Sequence, residues 1–280
     1  MPPETIGILH PGAMGIAVAA SAQRSGQVVC YASEGRGQAT LARAAEHSLR
    51  DLGTLAALCQ ACSLLISVCP PHAAEEVAAQ VVDLGFRGLY LDANAIAPHV
   101  AVRIGELLTG AGAAFVDGGI IGGPAWEPGE TWLYLSGGQA GRVADCFAEG
   151  PLEVSILGER IGAASALKMC YAAYTKGTTA LLSAILALAE ASGVRAELAA
   201  QWERDEPGFS AAAERRARRV TSKAWRFAGE MDQIAATFEA AGLPGDFHRA
   251  AGELYRRLGG FKDAGELPEI EAVLTALLKK

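Results

Sequence analysis

No largely apolar run in this sequence is longer than TTALLSAILALA, residues 178–189. Its 12 residues fall short of the ~20 that span a bilayer, so it reads as a buried helix and no membrane partner is expected. The opening residues, MPPETIGILH, lack the basic region of a secretory signal and run directly into strand-like sequence, which points to a cytoplasmic protein. Positive charge is in deficit. Twenty-four Lys and Arg against 31 Asp and Glu leave a net charge of −7, which argues against a nucleic-acid partner. In the one basic run, RRARR (215–219), Arg215, Arg218 and Arg219 share a helix face, either solvated or in contact with a phosphate or acidic substrate. Metal-ligand spacing is absent. The five histidines form no H-E-x-x-H pattern, and Cys59 and Cys62 make a lone C-x-x-C with no second pair. The six cysteines lie mostly in apolar stretches and read as reduced packing thiols, so no metal is expected. Repeats and low-complexity segments are also missing.

What is present is globular. The 280 residues are 51% hydrophobic and 20% charged, enough for one large or two ordinary domains with full cores. Short β-rich runs at 5–9, 28–32, 64–68, 89–92, 113–117 and 132–136 alternate with helical stretches near 14–25, 38–47, 51–62, 72–84, 98–111 and 139–148. Several early strands are apolar throughout, as strands buried on both faces should be. Strand and helix in repetition imply an α/β, doubly wound, mostly parallel sheet, the Rossmann arrangement. After about residue 160 the β signal stops. Residues 162–193 predict one long helix ending at Gly193, about 45 Å at 1.5 Å per residue. Further helices are expected near 196–204, 210–229, 230–241, 246–258 and 268–279. The expected organisation is a dinucleotide-binding Rossmann domain over 1–160 and an all-α domain for substrate and dimerisation over 161–280.

The stretch GILHPGAMG (7–15) follows the first strand and opens the first helix, where a Rossmann protein carries its G-x-G-x-x-G fingerprint. Here the six places are His10, Pro11, Gly12, Ala13, Met14 and Gly15. Gly12 would let backbone approach a pyrophosphate, and Gly15 would let helix pack closely on strand. His10 stands where the first glycine makes the tight turn. A residue before proline is biased to extended backbone, so strand end plus Pro11 can make the turn without a positive φ at position 10.

With Gly12-Ala13-Met14-Gly15 in that place, the chain resembles the β-hydroxyacid dehydrogenase and 6-phosphogluconate dehydrogenase superfamily along nearly its whole length. More narrowly, it resembles a subgroup with an uncharacterised 6-phosphogluconate-dehydrogenase-like C-terminal domain. SVCPPH (67–72), DANAIAP (92–98) and VDGGIIGGP (116–124) match the superfamily's segments in place. The resemblance implies that Cys69 and Pro70 pass along the cofactor, and that Asn94 touches cofactor and substrate. It further implies that Ile121, Gly122 and Gly123 belong to the substrate loop. Lys168 falls at the family's catalytic lysine, able to take or return a hydroxyl proton if burial lowers its pKa.

Some family residues are replaced. Ile121 stands for the loop serine, Ala172 for an asparagine four residues after the lysine, and Gly229-Glu230 for a Lys-Asp pair. Tyr171 or Lys176 could supply the lost hydrogen bond, and Trp225, Glu230 and Met231 could line the pocket. These losses predict a small-molecule substrate bulkier or less acidic than a small hydroxy acid. At the end of the second strand Ser33, Glu34 and Arg36 divide the cofactor evidence. Glu34 suits the ribose diol of NAD, and Arg36 with Ser33 suits the 2′-phosphate of NADP; NADP(H) is slightly favoured over NAD(H). The implied activity is NAD(P)-dependent hydride transfer between nicotinamide and a carbonyl or alcohol carbon, in a homodimer joined through the helical domain. Imine reduction on the same fold and a non-catalytic dinucleotide sensor are the alternatives. Lys168 argues against both.

Overall fold

The computed structural model describes residues 4–262 and 264–279. They divide into two compact units, one running to Met169 and the other from Cys170. The division lies later than residue 160, where strand periodicity ends, because the first turns of the next helix are bonded to the sheet.

In the first unit β1 (Thr5–Ile8), α1 (Ala13–Arg24), β2 (Val28–Tyr31), α2 (Gln38–Glu46) and β3 (Arg50–Asp51) form one wing. The other begins with α3 (Leu55–Ala61), β4 (Leu64–Ser67), α4 (Ala74–Asp83), β5 (Leu89–Asp92), α5 (Pro98–Gly110) and β6 (Ala114–Gly122). It ends with β7 (Thr131–Ser136), α6 (Ala140–Asp145) and β8 (Glu153–Ile156). The sheet has eight strands in the order β3-β2-β1-β4-β5-β6-β7-β8. All its pairings are parallel except β6 with β7. Alternate side chains of the central strands enter opposite cores. Ile6, Ile66 and Leu91 pack with Ile16 and Ala19 of α1, whereas Leu65, Tyr90 and Phe115 pack with Leu58 of α3, Val81 of α4 and Ile104 of α5. Burial on both faces explains why these strands read as unbroken apolar runs.

β3 and β8 escape a reading by hydrophobicity. β3 is an exposed Arg-Asp pair and β8 a partly exposed edge, so neither carries an apolar signal. The helix expected over 51–62 begins only at Leu55, where Thr54 accepts a hydrogen bond from the Ala57 amide. β6 is longer than 113–117 suggests and absorbs part of the predicted substrate loop.

The helix expected over 162–193 is continuous but not uniform. α7 (Ala163–Ala172) passes through a π turn (Ala173–Gly177) into α8 (Thr178–Ala191). The stretch Ala163–Ala191 is long and apolar enough by length and composition to cross a membrane, which counting unbroken apolar residues did not reveal. Half of its most apolar part is buried inside the protein. In the second unit α8 is followed by α9 (Arg195–Asp205), α10 (Phe209–Arg219), α11 (Ala224–Ala240), α12 (Asp246–Arg257) and α13 (Ile270–Leu278). The break expected at 229–230 falls instead at 220–223, where a short 3-10 turn separates α10 from α11. Arg216 of α10, which lies off the face formed by Arg215, Arg218 and Arg219, makes the most hydrogen bonds of the basic run. It donates to Thr178 Oγ1 at 2.6 Å, Thr179 Oγ1 at 2.8 Å and the Thr175 carbonyl at 3.3 Å, a carbonyl that also accepts the Thr179 hydroxyl at 2.7 Å. Arg218 donates to the Pro268 carbonyl at 2.7 Å.

Candidate active site

The strand order reverses between β1 and β4, and the crevice beyond their carboxyl ends is where an open α/β sheet binds ligand. His10-Pro11-Gly12 leaves β1 on one side of that crevice, and Cys69-Pro70 leaves β4 on the other. The turn closes with the Gly12 amide donating to the His10 carbonyl at 2.8 Å. Position 10 does not take a positive φ; among the described residues Ser48 is the one non-glycine that does. The strand-end-plus-proline turn therefore replaces the first glycine of the fingerprint. A Cβ on Gly12 would meet nothing within 4 Å, so this backbone stands open to a ligand. A Cβ on Gly15 would lie 2.1 Å from the His10 carbonyl oxygen, so only glycine permits this approach of helix to strand. α1 begins at Ala13 with no side chain capping it. Its first-turn amides and dipole are thus presented to an anion, and these residues fit a dinucleotide pyrophosphate.

His10 carries no charge at neutral pH. Burial above all, with the positive charge of Arg36 second, lowers its pKa to about 4. Its Nδ1 is buried without a hydrogen-bond partner. Arg36 is half-buried and turned inward, donating through Nη2 to the Leu9 carbonyl at 2.8 Å and through Nε to the Ala32 carbonyl at 3.4 Å. It thereby bridges the ends of β1 and β2 with two of its donors on backbone. The Ser33 amide is tied to Asp51 Oδ1 at 3.2 Å, and Glu34 is exposed.

Asn94 lies beyond β5 and is 2% exposed. Its Nδ2 donates to Asp92 Oδ2 at 2.9 Å and to Ser67 Oγ at 3.0 Å, and its Oδ1 accepts the Cys69 amide at 2.5 Å. Both amide hydrogens are therefore committed within the protein, in place of the expected contact with substrate. Asn94 fixes the turn after β4 by gripping Cys69. Asp92, fully enclosed, has its pKa raised to about 7 by burial, partly offset by its bonds from Asn94. Burial likewise pushes the Cys69 thiol up to about 11, far from a reactive thiolate.

Ile121 and Gly122 belong to β6 and not to a loop. Ile121 pairs with Trp132 of β7 and is 7% exposed, and Gly122 sits at φ +126°. Only Gly123 stands beyond the strand, where its carbonyl accepts Thr131 Oγ1 at 2.8 Å. Lys168 is half-buried on α7, and its Nζ donates to the Ile120 carbonyl at 2.5 Å. Beyond Asp117 β6 has no partner on its β5 side, so this edge of the strand is open to the lysine. The first unit thus contains the glycine cradle, the Asn94-held turn and the lysine.

The remaining predicted residues lie in the second unit. Tyr171 is exposed on α7. Lys176, in the π turn, forms an ion pair with Glu230 of α11, both side chains being largely buried. Its ammonium also lies 4.6 Å from the Phe227 ring centroid, and its carbonyl accepts the Tyr255 hydroxyl at 2.7 Å. Lys176 and Glu230 thus neutralise each other, a pairing that spacing along the chain does not reveal. Trp225 is separate from them, partly exposed with the Lys262 ammonium 4.4 Å from its ring centroid, and Met231 is a core residue.

Residues 189–258 match the family described as domain of unknown function DUF1932. No curated protein matches the sequence. Among solved structures, the chain is similar to Mycobacterium tuberculosis 3-hydroxyisobutyrate dehydrogenase with L-serine, at 18% identity and a TM-score of 0.72, over 99% of this chain and 100% of that one. It is also similar to a conserved hypothetical protein from Sinorhizobium meliloti, at 23% identity and a TM-score of 0.70, over 98% and 95%. A reductive aminase from Aspergillus terreus in complex with NADPH4, cyclohexanone and allyl amine matches at 19% identity and a TM-score of 0.57, over 97% and 98%. At these identities the likeness is one of fold. The chain shares the fold of these dehydrogenase and reductase structures.

Proposed function

We propose that this protein is an NAD(P)-dependent oxidoreductase that interconverts a carbonyl and an alcohol on a small molecule. The observation that carries the reading is the His10–Gly15 turn, open at Gly12, close-packed at Gly15 and followed by an uncapped helix N-terminus. Those residues would hold the pyrophosphate, with Cys69 and Pro70 across the crevice. The bound nicotinamide supplies or accepts the hydride. Lys168 gives a proton to the carbonyl oxygen in reduction and takes it back in oxidation. Its bond to the Ile120 carbonyl orients the ammonium before substrate arrives. Asn94 holds the β4 turn in shape from behind.

NADP(H) is favoured over NAD(H) because Arg36 keeps a positive charge at the ends of β1 and β2 beside Ser33. The substrate is bulkier or less acidic than a small hydroxy acid. Ile121 carries no hydroxyl, Ala172 no amide, and the charge of Lys176 is already met by Glu230. The exposed Tyr174 and Leu188 of the long helix support a homodimer joined through the helical unit.

The reading is tested by titrating the purified protein with NADPH and NADH in parallel and following nicotinamide fluorescence. Saturable binding is expected, tighter for NADPH. Binding of neither would mean that His10-Pro11 has closed the cradle.

A further inference from the structure

Helix α7, which carries Lys168, does not cap itself. The Ala163 amide goes to the Arg160 carbonyl, and the Gly162, Ala164 and Ser165 amides around it are taken by side chains of the sheet. Asp117, wholly buried on β6, accepts at Oδ2 from the Gly162 amide at 2.9 Å, the Ser165 amide at 3.1 Å and Ser136 Oγ at 3.0 Å. Its Oδ1 accepts the Ser165 hydroxyl at 2.5 Å. Ser136, on the neighbouring strand β7, in turn accepts the Ala164 amide at 3.2 Å. A carboxylate at this helix end also meets the positive pole of the helix dipole. Two residues along the same strand, Gly119 lets the helix lie against the backbone. A Cβ there would stand 2.7 Å from the Ala164 carbonyl oxygen and 3.1 Å from Lys168 Cβ. One residue further, the Ile120 carbonyl receives Lys168 Nζ. Residues 117, 119 and 120 of one strand therefore set the height, the distance and the ammonium position of the helix segment 162–168.

We propose that Asp117 is a positioning residue for Lys168, fixing through the N-terminus of α7 where the ammonium stands. Its carboxylate is matched to donors only, four in all. An asparagine keeps the three bonds at one oxygen only if the Ser165 hydroxyl turns to accept from its amide, and it removes the negative charge that meets the helix dipole, which loosens the helix end. The consequence for turnover rests on the proposed role of Lys168; the consequence for the position of its amine does not.

The test reads both. Wild type, Asp117→Asn and Ser165→Ala are labelled with trace acetic anhydride across a pH series, and acetylation at Lys168 is quantified by mass spectrometry against the exposed Lys223 as internal reference. Loss of the acceptor is expected to raise relative labelling of Lys168 by about tenfold in Asp117→Asn, and less in Ser165→Ala, which loses one bond to Asp117 Oδ1. Carbonyl turnover should fall in the same order, with the lysine limb of its pH profile displaced and the NADPH dissociation constant unchanged. Ser165→Ala keeps the other acceptors and serves as the folded variant should Asp117→Asn not fold. Labelling of Lys168 at the wild-type rate in a folded variant would overturn the proposal. Faster labelling with unchanged turnover would uphold the docking and overturn the proton-transfer role on which its catalytic consequence rests.

Discussion

Lys168→Ala is expected to lower the proposed carbonyl reduction by roughly 10²–10⁴-fold, the range for removal of a general acid, and to leave NADPH binding unchanged. The second half of that expectation follows from the geometry. The cradle is built from the turn after β1 and the first turn of α1, whereas Lys168 is bonded to Ile120 of β6. Neither supports the other, so chemistry and cofactor affinity separate. Lys168→Arg sharpens the result, because arginine keeps the positive charge and can reach a carbonyl but does not release its proton in this pH range. If proton transfer is the role, Lys168→Arg fails with Lys168→Ala. Restored turnover in the arginine variant would assign the lysine an electrostatic role instead.

Gly15→Ala is expected to lose cofactor binding and to destabilise the protein by about 3 kcal/mol or more, at the upper end of overpacking costs. The added carbon would lie 2.1 Å from the His10 carbonyl oxygen, a backbone atom that cannot rotate away. Relief requires α1 to lift from β1, and the amides that face the pyrophosphate lift with it. Gly12→Ala makes the contrast, since its Cβ would meet nothing within 4 Å of the protein. That substitution leaves the thermal midpoint near wild type and weakens only the dinucleotide, measured by the same fluorescence titration. Equal stability and equal affinity in both variants would remove the pyrophosphate from this turn.

The sheet and the close-packed glycine turn after β1 were legible in the sequence for physical reasons. Strands buried on both faces leave unbroken apolar runs, and a glycine forced by close packing leaves a residue that no other can replace. His10 was legible too, because the residue before a proline favours an extended backbone. Elements with no apolar signature were not legible, as the exposed Arg50–Asp51 pair and the edge strand β8 show. The support around the site was also hidden. That Asn94 spends its amide on Asp92, Ser67 and Cys69, that Lys176 meets Glu230, and that Asp117 caps α7 all depend on residues far apart in the chain. Arg216 shows the same limit within one run. Helix spacing singled out the face of Arg215, Arg218 and Arg219 and passed over Arg216, which bonds Thr175, Thr178 and Thr179.

Hydride transfer by this protein is read from labelled cofactor. NADPH carrying deuterium at C4 of the nicotinamide, on either face, is incubated with the protein and a panel of aldehydes and ketones, and the alcohols are analysed by mass spectrometry. Deuterium is expected on the former carbonyl carbon of at least one alcohol, delivered from one face of the cofactor and absent with Lys168→Ala. Saturated binding of NADPH with no label transferred to any carbonyl would contradict it and leave a dinucleotide-binding protein without hydride chemistry.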